Sequence, residues 1–260
     1  MLWSASKTFT AVAVGFAQQD GLLSVDDSIL DYLGDDAPEN PSEWLRSMTI
    51  EDLLVMSSGF DSSAGSTRGR TNKGEVFDWA KDALASPIIF EPGTMFRYNS
   101  MDTYLLSVIV TKVTGKNMDE YLEQKLFKPL GIDIYEWKKC PQGYPVGGWG
   151  LYITLESMAK MGQFFLGKDF GDKTVATMLA EKAVVGERLL NESWFDEAMS
   201  AKIMQWQGRI TAEEAAAKYK NDEWHQGYGY QMWVSTHGAV RLDGAWGQYV
   251  IIVPEKNLVV

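Results

Sequence analysis

Cysteine occurs once in this chain of 260 residues, at Cys140, and histidine only twice, at His225 and His237. A single thiol excludes an internal disulfide and any cysteine-based metal cluster, and it leaves the redox character of the compartment unread. Two histidines weaken a Ser-His-Asp triad, and neither a Gly-x-Ser-x-Gly elbow nor a His-Glu-x-x-His zinc helix occurs, so an activated serine here has to rely on lysine or tyrosine. A metallohydrolase would need clustered ligands that two isolated histidines do not provide, and no metal or cofactor is expected. Basic residues are outnumbered, 24 against 35 acidic, for a net charge of −11. That balance argues against nucleic acid or anionic membrane surfaces as partners, since both demand basic patches. The longest apolar runs, such as Tyr249 to Val253, are strand-sized, far below the ~20 residues that span a bilayer. Internal repeats and low-complexity tracts are also missing. His237, followed by Gly238 between two strand-like runs, reads as a hairpin-turn residue rather than a catalyst.

What is present begins almost at once. Trp3-Ser4-Ala5-Ser6-Lys7-Thr8-Phe9-Thr10 places a Ser-x-x-Lys tetrad at the opening of the apolar stretch Phe9 to Ala17, which reads as a buried helix. Positions three apart share one helix face, so the Lys7 amine can sit over the Ser4 hydroxyl. A serine hydroxyl is a poor nucleophile until a base takes its proton, and lysine can do so only where burial or a neighbouring charge favours its neutral form. Ser4 at the helix N-terminus would also see backbone N–H groups and the positive end of the dipole, which favour developing negative charge. The tetrad alone is weak, because roughly one is expected by chance in a chain of this length. A second copy, Ser157-Met158-Ala159-Lys160, follows Thr154 and precedes Met161 and Phe164, and reads as the capped start of an ordinary amphipathic helix.

The hydrophobic content of 45% suits one large domain, or a domain with an inserted lobe. Asp20 to Asp27 forms a turn leading to a short helix, and Thr49-Ile50-Glu51-Asp52 caps another that ends at Ser57-Ser58-Gly59. Asp61 to Gly74, rich in Ser, Gly, Thr and Arg, reads as an exposed loop. Asp102 to Val113 and Met118 to Phe127 look helical, and strand signals follow at Tyr230 to Ser235, Ala239 to Leu242, Tyr249 to Val253 and Leu258 to Val260. Helices first and antiparallel strands last predict an α+β fold with helices covering a sheet. The tryptophans, among them Trp44, Trp137, Trp149 and Trp206, read as core or cleft wall.

A further motif, Glu91-Pro92-Gly93-Thr94-Met95-Phe96-Arg97-Tyr98-Asn99-Ser100, is a turn that delivers Tyr98 just ahead of a helix. Taken with the Ser4/Lys7 segment, Leu53 to Gly59, Pro129-Leu130-Gly131-Ile132, Gly148 to Thr154 and Gly244 to Tyr249 through Pro254-Glu255, it resembles the serine β-lactamase-like hydrolases in nearly every part of the chain. That superfamily holds class C β-lactamases, penicillin-binding DD-peptidases, family VIII esterases and 6-aminohexanoate-dimer hydrolases. The resemblance implies one β-lactamase/transpeptidase-like domain over 1–260, in which 1–24 and 150–260 supply the nucleophile helix and the sheet lobe, and 25–149 an inserted, mostly helical lobe. It implies Ser4 as the acylated nucleophile, Lys7 as its base, and Tyr98 as the group that passes the proton to the leaving group. The backbone N–H groups of Ser4 and Ala245 would form the oxyanion hole, with Ser100, Asp243, Gly244 and Trp149 at the substrate. A Lys-Tyr pair shares protons, so its titration belongs to the pair.

The departures from the family pattern shape the expected substrate. Tyr98-Asn99-Ser100 replaces the Tyr-x-Asn of class C enzymes, so a hydroxyl stands where an amide commonly meets an acylamide side chain. Leu242-Asp243-Gly244 replaces Lys-Thr-Gly or His-x-Gly, and an acidic position there does not attract the carboxylate of a β-lactam or a D-Ala-D-Ala peptide. Arg241 is a compensating cation in principle, but strand alternation is expected to point it away from the neighbours of Asp243 on the opposite face. Small ester or amide hydrolysis therefore ranks above β-lactamase or DD-peptidase activity, and a non-catalytic member acting as a binding domain is the alternative from another class. Superfamily members normally carry a few dozen residues before the nucleophile and a helix after the last strand. Both are expected to be truncated here, leaving a sheet edge that invites a homodimer.

Overall fold

From Ser6 to Ala17 every residue is buried, polar ones included, so the apolar run that follows Ser4 folds as a helix enclosed on all sides. The computed structural model describes residues 1–61, 78–166 and 189–260. The expected exposed loop of 61–74 lies outside the described residues, except for Asp61. A 3-10 turn, Trp3–Ala5, precedes α1 (Ser6–Gln19), which ends at Asp20 before Gly21 turns the chain with φ +71°. Short helices follow: α2 (Leu30–Leu33), α3 (Glu43–Ser47) and α4 (Ile50–Leu54). At α4 the side chain of Thr49 accepts from the Asp52 amide, and Asp52 accepts from the Thr49 amide, the capping box expected from the Thr49–Asp52 spacing. α5 (Trp79–Leu84) is capped by Asp78, and α6 (Ser100–Thr114) by Asn99, with Gly115 closing α6 in the left-handed region. α6 buries Met101 to Val110 against α1 and α4. The helix expected over 118–127 is α-helical only as α7 (Met118–Leu122) and widens to a π-turn over Glu123–Phe127, which lets Phe127 meet Phe9 at 6.1 Å.

The strands β1 (Glu136–Trp137) and β2 (Leu151–Tyr152) form a small antiparallel pair, followed by α8 (Leu155–Leu166), α9 (Glu192–Ala198) and α10 (Ala212–Lys218). The closing sheet is antiparallel throughout, in the order β3 (Trp233–Val234), β4 (Val240–Gly244), β5 (Gln248–Val253) and β6 (Leu258–Val259). This is the expected α+β, β-lactamase/transpeptidase-like architecture. Strand alternation puts Val240, Leu242, Val250 and Ile252 on the covered face, where α8 comes so close that a Cβ on Gly162 would stand 2.4 Å from Val259. The strand expected over 230–235 is shorter because Gln231 takes φ +58° and spends its side chain on the Leu53 and Leu54 carbonyls. His237, at φ +59°, sits in the turn between β3 and β4, as expected. Among the described residues no helix is long and apolar enough to cross a membrane.

Candidate active site

Ser4 lies in the 3-10 turn, two residues before the first residue of α1. Its segment is held on both sides. The Leu2 amide donates to Leu151 O at 2.8 Å, and β4 presses so closely that a Cβ on Gly244 would stand 2.2 Å from the Leu2 carbonyl oxygen. Lys7, on the first turn of α1, is 1% exposed and donates from Nζ to Ser4 Oγ at 3.3 Å, Ser100 Oγ at 3.0 Å and Gly148 O at 2.6 Å. The same amine stands 4.9 Å from the centre of the Tyr98 ring. At Gly148 a Cβ would come within 2.8 Å of the Ser100 carbonyl and 3.5 Å of Lys7 Nζ, so the close approach of this backbone to the lysine depends on glycine.

Tyr98 reaches this cluster because its loop is laid along residues 56–58. Arg97 N donates to Met56 O at 2.7 Å, Gly93 N donates to Ser57 O at 3.0 Å, and Gly93 turns with φ +79°. Beneath the loop, Asp102 is fully buried and accepts from Ser58 Oγ at 2.9 Å and Asn99 Nδ2 at 2.8 Å, while Asn99 Oδ1 caps α6 at the Met101 amide. Burial pushes the Asp102 carboxyl well above the usual range, opposed by the Ser58 hydrogen bond, the Lys7 charge and Asn99. Tyr98 is hydrogen-bonded to Ser4 and stacks on Trp233 at 5.6 Å and 25°. Desolvation raises its phenol well above the ordinary value, the Asp243 charge adds to this, and the Ser4 hydrogen bond works against both. A hydroxyl, an amine and a neutral phenol in mutual reach can relay a proton from an attacking oxygen to a departing one.

The structure therefore gathers Ser4, Lys7, Tyr98 and Ser100, and the Ser100 hydroxyl faces Lys7. Gly244 abuts the nucleophile segment, with Ala245 exposed on the β4–β5 turn that follows. Beside Gly148, the Trp149 ring stacks on Trp79 at 6.0 Å, and its carbonyl accepts from Trp137 Nε1. Arg241 points away from the neighbours of Asp243 on the opposite face, as alternation predicts, and pairs with Asp243 itself. Residues two apart on a strand share a face, and Arg241 Nε donates to Asp243 Oδ2 at 2.9 Å. The second tetrad is structural: Thr154 accepts from the Ser157 amide, and Lys160 bonds Gly131 O and Glu156. His225 stacks flat on Tyr219 and pairs with Asp222.

Sequence reasoning missed Ser58, Asn99, Asp102 and Trp233. The Asn99-x-x-Asp102 spacing after Tyr98 was a readable capping signal, whereas the Ser58 contact joins residues 44 apart and has no local signature. Trp233 becomes legible only once the register opposite Arg241 is known.

Comparison with known proteins bears on the family and the fold. A protein of Escherichia coli (strain K12), described as a candidate D-alanyl-D-alanine carboxypeptidase, is 30% identical over 145 residues, half of this chain and 32% of the relative. The chain thus spans about a third of the length of the curated relatives it matches. A candidate 6-aminohexanoate-dimer hydrolase from Bacillus anthracis superposes with a TM-score of 0.72 at 18% identity, covering 99% of this chain and 65% of that one. The hydrolase EstCE1, described as having promiscuous acyltransferase activity, superposes at 0.70 and 16% identity, over 99% of this chain and 77% of its own. The two structural likenesses show a shared fold and each cover 99% of this chain. With the Beta-lactamase family profile matching residues 1–260, this chain belongs to the Beta-lactamase family.

Proposed function

We propose that this chain is a serine hydrolase that forms an acyl-enzyme on Ser4 from small, uncharged esters or amides. The observation that carries the reading is the Lys7 amine, withdrawn from solvent and held within 3.3 Å of Ser4 Oγ by Ser100 and Gly148. In this mechanism Ser4 Oγ attacks the acyl carbonyl and Lys7 takes its proton. Tyr98 then delivers a proton to the leaving oxygen or nitrogen. The Ser4 and Ala245 amides face the developing oxyanion, and water attacks the acyl-enzyme by the reverse proton route. The raised phenol of Tyr98 suits a proton carrier that stays neutral.

Preference for neutral substrates rests on Asp243. Its carboxylate pairs with Arg241, so β4 offers no unpaired charge to the carboxylate of a β-lactam or of a D-alanyl peptide. The likeness to a hydrolase with promiscuous acyltransferase activity and to a candidate 6-aminohexanoate-dimer hydrolase supports ester or amide hydrolysis through an acyl-enzyme. The Escherichia coli relative's description favours a DD-peptidase as the second reading.

The test is intact mass after incubation with p-nitrophenyl butyrate, nitrocefin and a fluorophosphonate, with Ser4→Ala beside it. The expected result is a single adduct lost in the variant, with butyrate turned over faster than nitrocefin. Faster nitrocefin turnover would move the protein to the β-lactamase reading. A folded chain that takes no adduct, or a variant that still turns over esters, overturns the proposal.

A further inference from the structure

Arg241 is 6% exposed and its donors are accounted for unevenly. Nε meets Asp243 Oδ2 at 2.9 Å, and Nη1 meets Glu223 O at 2.9 Å and Ser235 Oγ at 2.6 Å. Nη2 is buried without a hydrogen-bond partner among the described residues. The guanidinium lies 4.7 Å from the Trp224 ring and 5.6 Å from the Trp233 ring, and Trp233 in turn stacks on Tyr98. Beside it is a cavity of about 440 Å³ whose walls include Trp224, Ser235, Thr236, Arg241, Asp243 and Tyr249. Trp224 also walls a second cavity, of about 340 Å³, that contains Tyr98. The Arg241 cavity is thus separated from the proton-carrying phenol by one indole.

A buried donor without an acceptor is uncompensated in the free protein, and an arriving acceptor gains what water has already given up. The guanidinium charge is already matched by Asp243, and Glu223, also on the cavity wall, adds a second carboxylate. Arg241 and Asp243 are both nearly withdrawn from solvent, with side chains 7% and 8% exposed, and an anion drawn to the guanidinium would also meet the Asp243 carboxylate. The Trp224 ring offers a flat apolar wall beside the donor.

We propose that this cavity is a substrate subsite for an uncharged hydrogen-bond acceptor, such as an amide or ester carbonyl, borne on an aromatic or similarly flat substituent. Arg241 supplies the donor and Asp243 sets the selectivity against anions. The assignment of this ligand as substrate rests on the reading of Ser4 as nucleophile; the selectivity itself does not.

The experiment is titration of hippuramide and of hippurate, the neutral and anionic forms of one benzoylated glycine skeleton, followed by calorimetry in a Ser4→Ala background so that nothing is turned over. Hippuramide is expected to bind at least tenfold more tightly than hippurate. Asp243→Asn is expected to shift that ratio at least tenfold toward hippurate, and Arg241→Gln combined with Asp243→Asn, which keeps the pair neutral, to weaken hippuramide at least tenfold. Asp243→Ser serves where the Asn variant does not fold. Equal or undetectable binding of the two compounds, or ratios unmoved by these substitutions, overturns the proposal. Ester turnover that survives Ser4→Ala with the binding preference intact would overturn the proposed function alone. Ser4-dependent turnover without that preference would overturn the subsite alone.

Discussion

Gly244→Ala is the sharpest probe of how the nucleophile is held. The added Cβ would stand 2.2 Å from the Leu2 carbonyl oxygen and 3.1 Å from the Gln248 Cβ. Such approaches essentially never fall below 3.0 Å, so β4 and the Leu2 segment must separate by roughly 0.8 Å in an interior that has little slack. Neither side is free to yield alone: Leu2 is tied to Leu151 O at 2.8 Å, and Gly244 is in register with Gln248 on β5. Gly244 does not occupy the left-handed region, so the penalty is purely steric. Displacing a reacting group by about 1 Å costs on the order of 100-fold in rate, or about 2.7 kcal/mol of barrier. Overpacking should cost about 1–3 kcal/mol of stability, and for a chain of this size each kcal/mol lowers Tm by about 2–4 °C. The assay is kcat/KM on p-nitrophenyl butyrate with Tm by calorimetry, using Gly34→Ala, where the added carbon meets nothing within 4 Å, as the neutral control. Turnover within threefold of wild type in a folded Gly244→Ala would refute the claim that β4 sets the position of Ser4.

Three other outcomes are expected. Tyr98→Phe should lower kcat on the same ester by about 10²–10⁴-fold while Tm stays near wild type, since only the hydroxyl is lost; unchanged kcat would mean that Lys7 works without it. Asp102, whose titration burial raises, keeps its proton to higher pH than in the unfolded chain, which releases it near pH 4, so its stabilising contribution is full below about pH 4 and is lost as pH rises through its folded value. The stability of wild type relative to Asp102→Asn, from guanidinium midpoints, should therefore fall as pH rises above about 4, and a flat difference would contradict the burial argument. Thr49→Ala removes one arm of the α4 capping box and should cost about 1 kcal/mol, read as a Tm loss with kcat/KM preserved.

The parts of the fold legible beforehand are those written in short spacings. The Ser4-x-x-Lys7 tetrad, the Thr49–Asp52 box and the apolar run after Thr8 each place their own partners within a helical turn or two. The meeting of Lys7 with Ser100 and with Gly148, 93 and 141 residues away, was not foreseen, because no local pattern records which backbone carbonyl will end beneath an amine. The pairing of Arg241 with Asp243 went unforeseen for a different reason. The arginine's face follows from alternation, but its partner depends on which neighbour shares that face, and Asp243 two residues on was read as a substrate position rather than as a counter-ion. Trp149 illustrates a third limit, since either face of a glycine-flanked indole suits a wall, and the nearby Trp79 decides which.

The distances along the chain between the groups that surround Lys7 have a consequence for biosynthesis. Thr8 donates to Gln231 O, 223 residues downstream, and Gly244 braces the nucleophile turn from still later in the chain. A ribosome adding about 5–20 residues per second leaves Ser4 without these supports for roughly ten seconds or more after it is made. Throughout that interval Lys7 lacks the Ser100 and Gly148 contacts that hold its amine beside the serine, and the Ser4 turn gains its brace only when long-range contacts close last. Labelling of Ser4 by a covalent probe is thus a readout of completed folding, and in a pulse-labelled translation reaction the label should trail full-length synthesis rather than accompany the growing chain.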